Sequence, residues 1–164
     1  MNPIERTAVE LAVGYERSQG RTVTYVGNGW PVGLRGEVRE WAQKRHPGAR
    51  SLTCDLVSRE RDGSFARLIE VKGKGGRGSS VPIIDRQREA MLELGPDWWL
   101  YVVLDCKTAP VLVVVEDPSR LPWQLITPAR VLPEGQYRRV GDEGRWHTAP
   151  TDVLAGGEQV DVSL

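Results

Sequence analysis

Three residues able to take part in chemistry, Asp55, Glu70 and Lys72, surround a predicted β-hairpin. Side chains two residues apart on a strand point to the same face of a sheet, so Glu70 and Lys72 project together. The Asp62-Gly63 pair between the two predicted strands is typical of a tight hairpin turn. Such a turn folds Asp55 back toward Glu70. We therefore expect two carboxylates and one ammonium group to converge at a sheet edge.

The chemistry of this group follows from its charges. Two carboxylates a few ångströms apart repel each other unless a cation lies between them, and hard oxygen ligands select Mg²⁺ or Mn²⁺. A divalent ion held in this way binds a phosphate oxygen and lowers the pKa of a bound water. The lysine adds a charge that can orient the water or stabilise a phosphorus centre. The pattern favours metal-assisted hydrolysis of a phosphodiester; the alternative is a solvated hairpin with an ordinary Glu and Lys on its exposed face.

The rest of the chain alternates helical and strand-like patterns that would position these residues. Apolar spacing predicts a helix over residues 4–18, which Gly20 ends, and β-branched alternation predicts a short strand over 21–26. Further along, we predict a helix over 34–46, a helix over 85–94 capped by Asp85, and two buried strands over 98–104 and 111–115.

The composition is that of a globular protein of one domain. The chain has 164 residues, of which 40% are hydrophobic and 27% charged. Lys plus Arg and Asp plus Glu number 22 each, so no global positive field attracts nucleic acid. Cys54 and Cys106 lack metal-ligand spacing and fit a reducing compartment. Without an apolar signal region or a run of spanning length, we expect a cytoplasmic protein that has no membrane partner.

Any contact with DNA must therefore come from a local patch. Residues 59–78 carry six Lys or Arg against three acids, and the glycine-rich loop over 73–80 follows Lys72 directly. Lys74 and Arg77 in this loop are candidates for phosphate contact. The alternative is a solvated, mobile loop.

The Asp-hairpin-Glu-Val-Lys arrangement is similar to the PD-(D/E)xK motif of restriction-endonuclease-like nucleases. Four blocks also resemble the protein NO VEIN C-terminal domain family, in the order of that family, over roughly residues 5 to 125. These blocks are Glu10–Arg21, Leu68–Gly73, Trp98–Val103 and Val115–Pro118. The family is usually placed among Mrr-like nucleases and is often found with helicases or in defence loci.

The resemblance implies an α/β fold, with a restriction-endonuclease-like core in which helices flank a mixed central β-sheet. We expect a single nuclease-like domain over residues 1–164, with a core of about 4–125 and a C-terminal extension over 126–164. It also implies a nuclease that uses Mg²⁺ or Mn²⁺ on DNA. Asp55 and Glu70 would bind the ion, the carbonyl of Val71 would complete its shell, and Lys72 would position the attacking water.

Related nucleases often add an acid from the first helix and a polar residue after the Glu-x-Lys strand. Glu10 is the first candidate for that acid, and Glu16 is the alternative, which we also consider as a nucleic-acid contact. Gln87 is the candidate for the polar residue, where the family more often has Glu. The helix over 34–46 departs from the family pattern. Either it docks DNA or a partner, or it packs Trp41 into the core.

The leading interpretation is thus a metal-dependent DNase acting in defence, restriction or repair, with a helicase or defence-system protein as a possible partner. A homodimer is expected, because one such site hydrolyses one strand at a time. The alternative is a catalytically silent module of the same fold that binds nucleic acid or a partner protein. The complete Asp55, Glu70 and Lys72 set argues against loss of activity.

Overall fold

The computed structural model describes residues 1–132 and 143–161; residues 133–142 and 162–164 of the predicted C-terminal extension lie outside this range. Four helices and nine strands are present within the described residues. In chain order they are α1 Pro3–Ser18, β1 Thr22–Tyr25, α2 Leu34–Arg45, β2 Leu56–Arg59, β3 Phe65–Gly73, β4 Val81–Ile84, α3 Asp85–Leu94, β5 Trp98–Leu104, β6 Val111–Glu116, β7 Gln124–Thr127, β8 Arg145–Thr148, α4 Pro150–Gly156 and β9 Glu158–Val160.

Six strands form the central sheet, in the order β1-β2-β3-β5-β6-β9. Neighbouring strands are antiparallel except β3 and β5, which run parallel. The parallel pair needs a crossover, which the chain makes through β4 and α3. The predicted α/β class, a mixed central sheet flanked by helices, is confirmed.

The sheet separates two apolar cores. On one face α1 packs through Ala8, Leu11 and Ala12 against residues of the central strands such as Ile69 and Tyr101. The opposite face is covered by α2, α3, α4 and the inner side of β4, whose buried residues include Val38, Ala90, Val153, Val81 and Ile83. The centre of β3, residues 68–70, is buried between these layers, so Glu70 is removed from bulk water.

Helix α1 begins at a capping box and lies very close to β3. Oδ1 of Asn2 accepts a hydrogen bond from the Glu5 N–H at 3.0 Å, and Oε2 of Glu5 accepts from the Asn2 N–H at 3.0 Å. A Cβ atom on Gly73 would lie 2.8 Å from the carbonyl oxygen of Ile4 and 3.1 Å from Cβ of Ala8. Glycine at the end of β3 therefore permits the close approach of the first turns of α1.

The predicted hairpin is confirmed by the pairing of β2 and β3. Leu56 pairs with Ile69, and the N–H of Asp55 donates to the carbonyl oxygen of Ile69 at 2.9 Å. At the turn, Gly63 adopts a φ of 85°, which favours glycine, and its N–H donates to the carbonyl of Glu60 at 2.9 Å. The turn fixes the register that brings Asp55 beside the end of β3.

The predicted helix over 34–46 is confirmed as α2, and its aromatic residue packs inward. Trp41 lies against the apolar core, with its ring centroid 5.5 Å from that of Phe65. Of the two alternatives considered for this segment, the packing of Trp41 is what the structure shows. Asp85 is the first residue of α3 rather than its cap. Its carboxylate accepts hydrogen bonds from the Gly144 N–H at 2.7 Å and from Nε1 of Trp146 at 3.0 Å.

The C-terminal segment completes both sheets. Strand β8 pairs with β4 and β7 in a second, three-stranded sheet, and β9 adds an edge strand to the central sheet beside β6. Cys54 and Cys106 are free thiols. No helix within residues 1–132 and 143–161 combines the length and apolarity needed to cross a bilayer.

Candidate active site

The hairpin brings the carboxyl groups of Asp55 and Glu70 together. Asp55 precedes β2, Glu70 lies on β3, and the two side chains line the same cavity, where the charge of Asp55 acts on Glu70. Oδ2 of Asp55 also accepts a hydrogen bond from the Val71 N–H at 2.9 Å. Glu70 is only 2% exposed and Asp55 is half-buried, so the Glu70 carboxylate lies within the protein and not on a solvated face. Burial of Glu70 is the feature that the sequence alone did not reveal.

Burial dominates the electrostatics of both acids. It raises the pKa of Glu70 to about 7; the charge of Asp55 adds to this effect and that of Lys72 opposes it. Burial also raises the pKa of Asp55, although the Val71 N–H and the charge of Lys72 act in the opposite direction. The pKa values of both carboxyl groups are thus raised, and a cation bound between them would favour their ionised forms.

Lys72 and Gln87 hold one oxygen of Glu70. Nζ of Lys72 lies 2.8 Å from Oε1 of Glu70 and donates a hydrogen bond to Oε1 of Gln87 at 3.2 Å. Nε2 of Gln87 donates to the same oxygen of Glu70. Oε1 of Gln87 also accepts from the Ile84 N–H at 3.0 Å, which fixes the side chain at the start of α3. The predicted support residue Gln87 is therefore in direct contact with both Glu70 and Lys72.

The other oxygen of Glu70 provides a test of whether a metal fits. Oε2 is buried and lacks a hydrogen-bond partner among the described residues, which is unfavourable for a charged group. The structure describes no group of three or more His, Cys, Asp or Glu side chains placed to hold an ion. Mg²⁺ is nevertheless often bound through one or two carboxylates, with water and substrate phosphate completing its shell. Asp55 and Glu70 meet that requirement.

A cavity of about 480 Å³ opens over these residues, which is large enough to admit a phosphate group. Asp55, Glu70, Val71, Lys72 and Gln87 line it together. Its remaining wall comes from the start of α1 and from the segment around β1, with Glu5, Val9, Tyr25 and Asn28 among the lining residues. The five predicted catalytic and metal-binding residues of the strands and of α3 thus share one cavity.

The acid that α1 contributes to this cavity is Glu5, whereas the sequence pointed to Glu10. Glu10 is exposed and does not line the cavity. Glu5 lies one and a half turns nearer the N-terminus, where Gly73 lets the helix approach β3, and its charge raises the pKa of the Asp55 carboxyl. In the sequence Glu5 is recognisable as a capping-box residue, which accounts for its position at the helix start. That pattern gives no indication that Glu5 also lines the cavity.

Glu16 has a structural environment that fits neither metal binding nor nucleic-acid contact. It is fully buried, with its carboxylate paired to Nε of Arg21 at 2.7 Å. Ser58 donates to it at 2.5 Å, and the hydroxyl of Tyr101 donates to its other oxygen. Burial alone would raise the pKa of Glu16, but the hydrogen bonds from Arg21, Ser58 and Tyr101 outweigh it and lower the pKa. Glu16 therefore ties α1 to the sheet.

The two basic loop residues differ in placement. Lys74 lines the cavity, and its main chain is bound at both ends: its N–H donates to Val103 at 2.8 Å and its carbonyl accepts from Cys106 at 2.9 Å. Burial and the charge of Lys72 lower the pKa of Lys74. Arg77 is instead paired with Asp105 at 2.6 Å. Lys74 is thus the loop cation that faces the site.

The chain was compared with protein families, curated proteins and solved structures. The model described as Protein NO VEIN, C-terminal, matches residues 4–115, a span from α1 to β6 that includes all the residues around Glu70 described above. Curated proteins and solved structures yielded no match. Since the matched region is well over half of the chain, the chain belongs to the Protein NO VEIN, C-terminal family.

Proposed function

We propose that this protein is a metal-dependent nuclease that hydrolyses phosphodiester bonds in DNA. One observation carries the proposal: the buried carboxylate of Glu70 lines one cavity with Asp55, contacts Lys72, and keeps one buried oxygen without a partner among the described residues. Buried carboxylate oxygens are generally hydrogen-bonded, so an oxygen left without a protein partner is available to a cation. A cation-binding carboxylate keeps one oxygen for its ligand.

Each residue has a role that follows from its contacts. Asp55 and Glu70 would hold Mg²⁺ or Mn²⁺, and the Val71 N–H orients Asp55. Such an ion, when bound, supplies a Lewis acid for the phosphate and a more acidic water. The ammonium group of Lys72 lies beside Glu70, where it can orient the attacking water and stabilise charge developing on the phosphate. Gln87 holds Lys72 and Glu70 in this arrangement.

The access and polarity of the cavity suit a phosphodiester substrate. It is open enough to admit a phosphate from solvent, and its lining is mainly polar and charged, as a phosphodiester requires. The absence of net charge on the chain means that binding must come from local cations such as Lys72 and Lys74. A partner protein that delivers the DNA, such as a helicase or a defence-system component, would supply the affinity for DNA that a chain without net charge lacks.

The test is a cleavage assay on supercoiled plasmid and on single-stranded DNA, in Mg²⁺ or Mn²⁺ and in EDTA. Wild type should nick or degrade at least one substrate only with the metal. Glu70→Gln and Lys72→Ala should each reduce the rate by at least about 100-fold, because each removes a group that acts on the reacting phosphate. Arg17→Ala, an exposed change at the far end of α1, is the matched control.

Metal-dependent cleavage that survives both substitutions would reject the proposal. DNA binding by the wild type without cleavage under any of these conditions would favour the second candidate, a silent module that binds nucleic acid or a partner protein. The same preparations can be examined by sedimentation, since we propose a homodimer in which two sites cut the two strands. A monomer that makes double-strand breaks would contradict that part.

A further inference from the structure

A second cavity, of about 450 Å³, adjoins the candidate active site. The two cavities share four lining residues, namely Lys72, Lys74, Pro82 and Gln87. The second one extends away from the acids along the outer face of β4 and β8. A group bound in the second cavity would therefore lie next to a group bound at Asp55 and Glu70.

Strand pairing explains which side chains face this cavity. In the second sheet Pro82 pairs with His147, and Ile84 pairs with Arg145. Paired residues of an antiparallel ladder project to the same face, so these four side chains lie together. The intervening residues of β4 point into the apolar core. Strand β8 thus brings an arginine and a histidine from the C-terminal segment to the edge of the candidate site.

The lining of this cavity is cationic. Lys72, Lys74 and Arg145 contribute to it, and no Asp or Glu is among its lining residues. Within the described part of the chain, neither Lys74 nor Arg145 forms an ion pair. Nδ1 of His147 lies 2.8 Å from the Ser80 hydroxyl, which fixes the orientation of the imidazole ring. Two cations without an ion pair, beside a hydrogen-bonded serine and histidine, suit a phosphate group.

We propose that Lys74 and Arg145, with Ser80 and His147, form a subsite for the DNA phosphate next to the one that is cleaved. The inference rests on the proposed function for the nature of the ligand. Phosphates follow one another at about 3.4 Å of helical rise along a strand, so a strand whose phosphate lies at Glu70 must place its neighbour close by. The shared wall of Lys72 and Lys74 connects the two positions.

Two of these residues come from outside the family match. Arg145 and His147 lie beyond residues 4–115 and reach the site only through the pairing of β8 with β4. The subsite would therefore assign a substrate-binding role to the C-terminal segment. It would also account for the location of Lys74, whose lowered pKa reflects burial and the nearby charge of Lys72, both of which a bound phosphate would offset.

The experiment measures binding of fluorescein-labelled single-stranded and duplex DNA by anisotropy, in EDTA and over a range of salt concentrations. Lys74→Ala and Arg145→Ala should each weaken binding about threefold to tenfold and lower the slope of log K against log salt by about 0.7 to 0.9. Arg145→Lys, which keeps the charge, should recover most of the affinity. Arg17→Ala should bind DNA as the wild type does.

Wild-type affinity and salt slope in both alanine variants would overturn the subsite, as would a wild type that binds no DNA. The outcome is separable from that of the cleavage assay. Reduced binding in the two variants of a protein that never cleaves DNA would support Lys74 and Arg145 as DNA-phosphate contacts and reject the nuclease. Metal-dependent cleavage together with unchanged binding in both variants would reject the subsite alone.

Discussion

Gln87 donates a hydrogen bond from its side-chain amide to Oε1 of Glu70, linking the start of α3 to the centre of β3. Oε1 of the same amide accepts from Lys72 and from the Ile84 N–H. A single neutral side chain thus positions both an acid and an amine and also binds the Ile84 N–H at the start of the helix. Groups that orient metal ligands in this way commonly affect activity as strongly as some ligands do.

Gln87→Ala should lower the cleavage rate about tenfold to 100-fold, because Glu70 and Lys72 lose the group that orients them. The helix start also loses the hydrogen bond to Ile84, at a stability cost of about 1 kcal/mol. A positioning role predicts a loss in kcat with an altered pH profile, and little change in DNA affinity measured in EDTA. A variant that only weakens DNA binding would contradict this role.

The raised pKa of Glu70 predicts a specific dependence of stability on pH. The folded protein holds a proton up to about pH 7, whereas the unfolded chain loses it near 4.5, so stability falls as pH rises between these values. The Glu70 contribution to this fall is on the order of 3 kcal/mol. Urea unfolding in EDTA at several pH values should show a smaller decline for Glu70→Gln than for wild type. Parallel pH profiles would contradict the assignment.

Divalent ions should restore the stability that the protein loses as the pH rises. Because a metal ligand must be deprotonated, Mg²⁺ or Mn²⁺ should raise Tm clearly at pH 8 and much less at pH 5.5. Thermal unfolding with and without the ion measures the shift directly. Glu70→Gln should abolish the shift at both pH values, and Arg17→Ala should preserve it. A shift of equal size in Glu70→Gln would place the ion elsewhere.

Glu5 and Glu10 offer a matched pair on one helix. Glu5→Gln keeps the capping-box hydrogen bond and removes a charge from the cavity, so metal affinity should fall about threefold to tenfold. Glu10→Gln changes an exposed residue outside the cavity and should leave the affinity unaltered. Titration of the Tm shift with Mn²⁺ compares them. A larger loss of metal affinity in Glu10→Gln than in Glu5→Gln would support Glu10, the acid predicted from the sequence.

Glu16 should be essential to stability rather than to catalysis. Glu16→Ala leaves Arg21, Ser58 and Tyr101 without their shared acceptor in a buried place, so the free energy of unfolding should fall by about 3 to 5 kcal/mol. Glu10→Ala, on the exposed side of the same helix, should change it by less than about 0.5 kcal/mol. Chemical denaturation at pH 7 measures both. A loss below 1 kcal/mol for Glu16→Ala would show that the network is dispensable.

The sequence by itself determined the hairpin, the principal helices and the convergence of Asp55 with Glu70 and Lys72. Each of these depends on neighbours in the chain: the Asp-Gly turn sets the strand register, and alternation along β3 sets which side chains share a face. The role of Gln87 could also be predicted from the sequence, because α3 follows β3 after only one short strand.

Only the tertiary structure decided which acid of α1 reaches the cavity, how deeply Glu70 is buried, and which residues β8 adds. The choice between Glu5 and Glu10 depends on where α1 crosses β3, and Gly73 sets that crossing from 68 residues further along the chain. Arg145 reaches the site through pairing with Ile84, which no local pattern encodes. Side-chain periodicity specifies the face of an element, whereas packing between distant elements determines which part of that face meets the site.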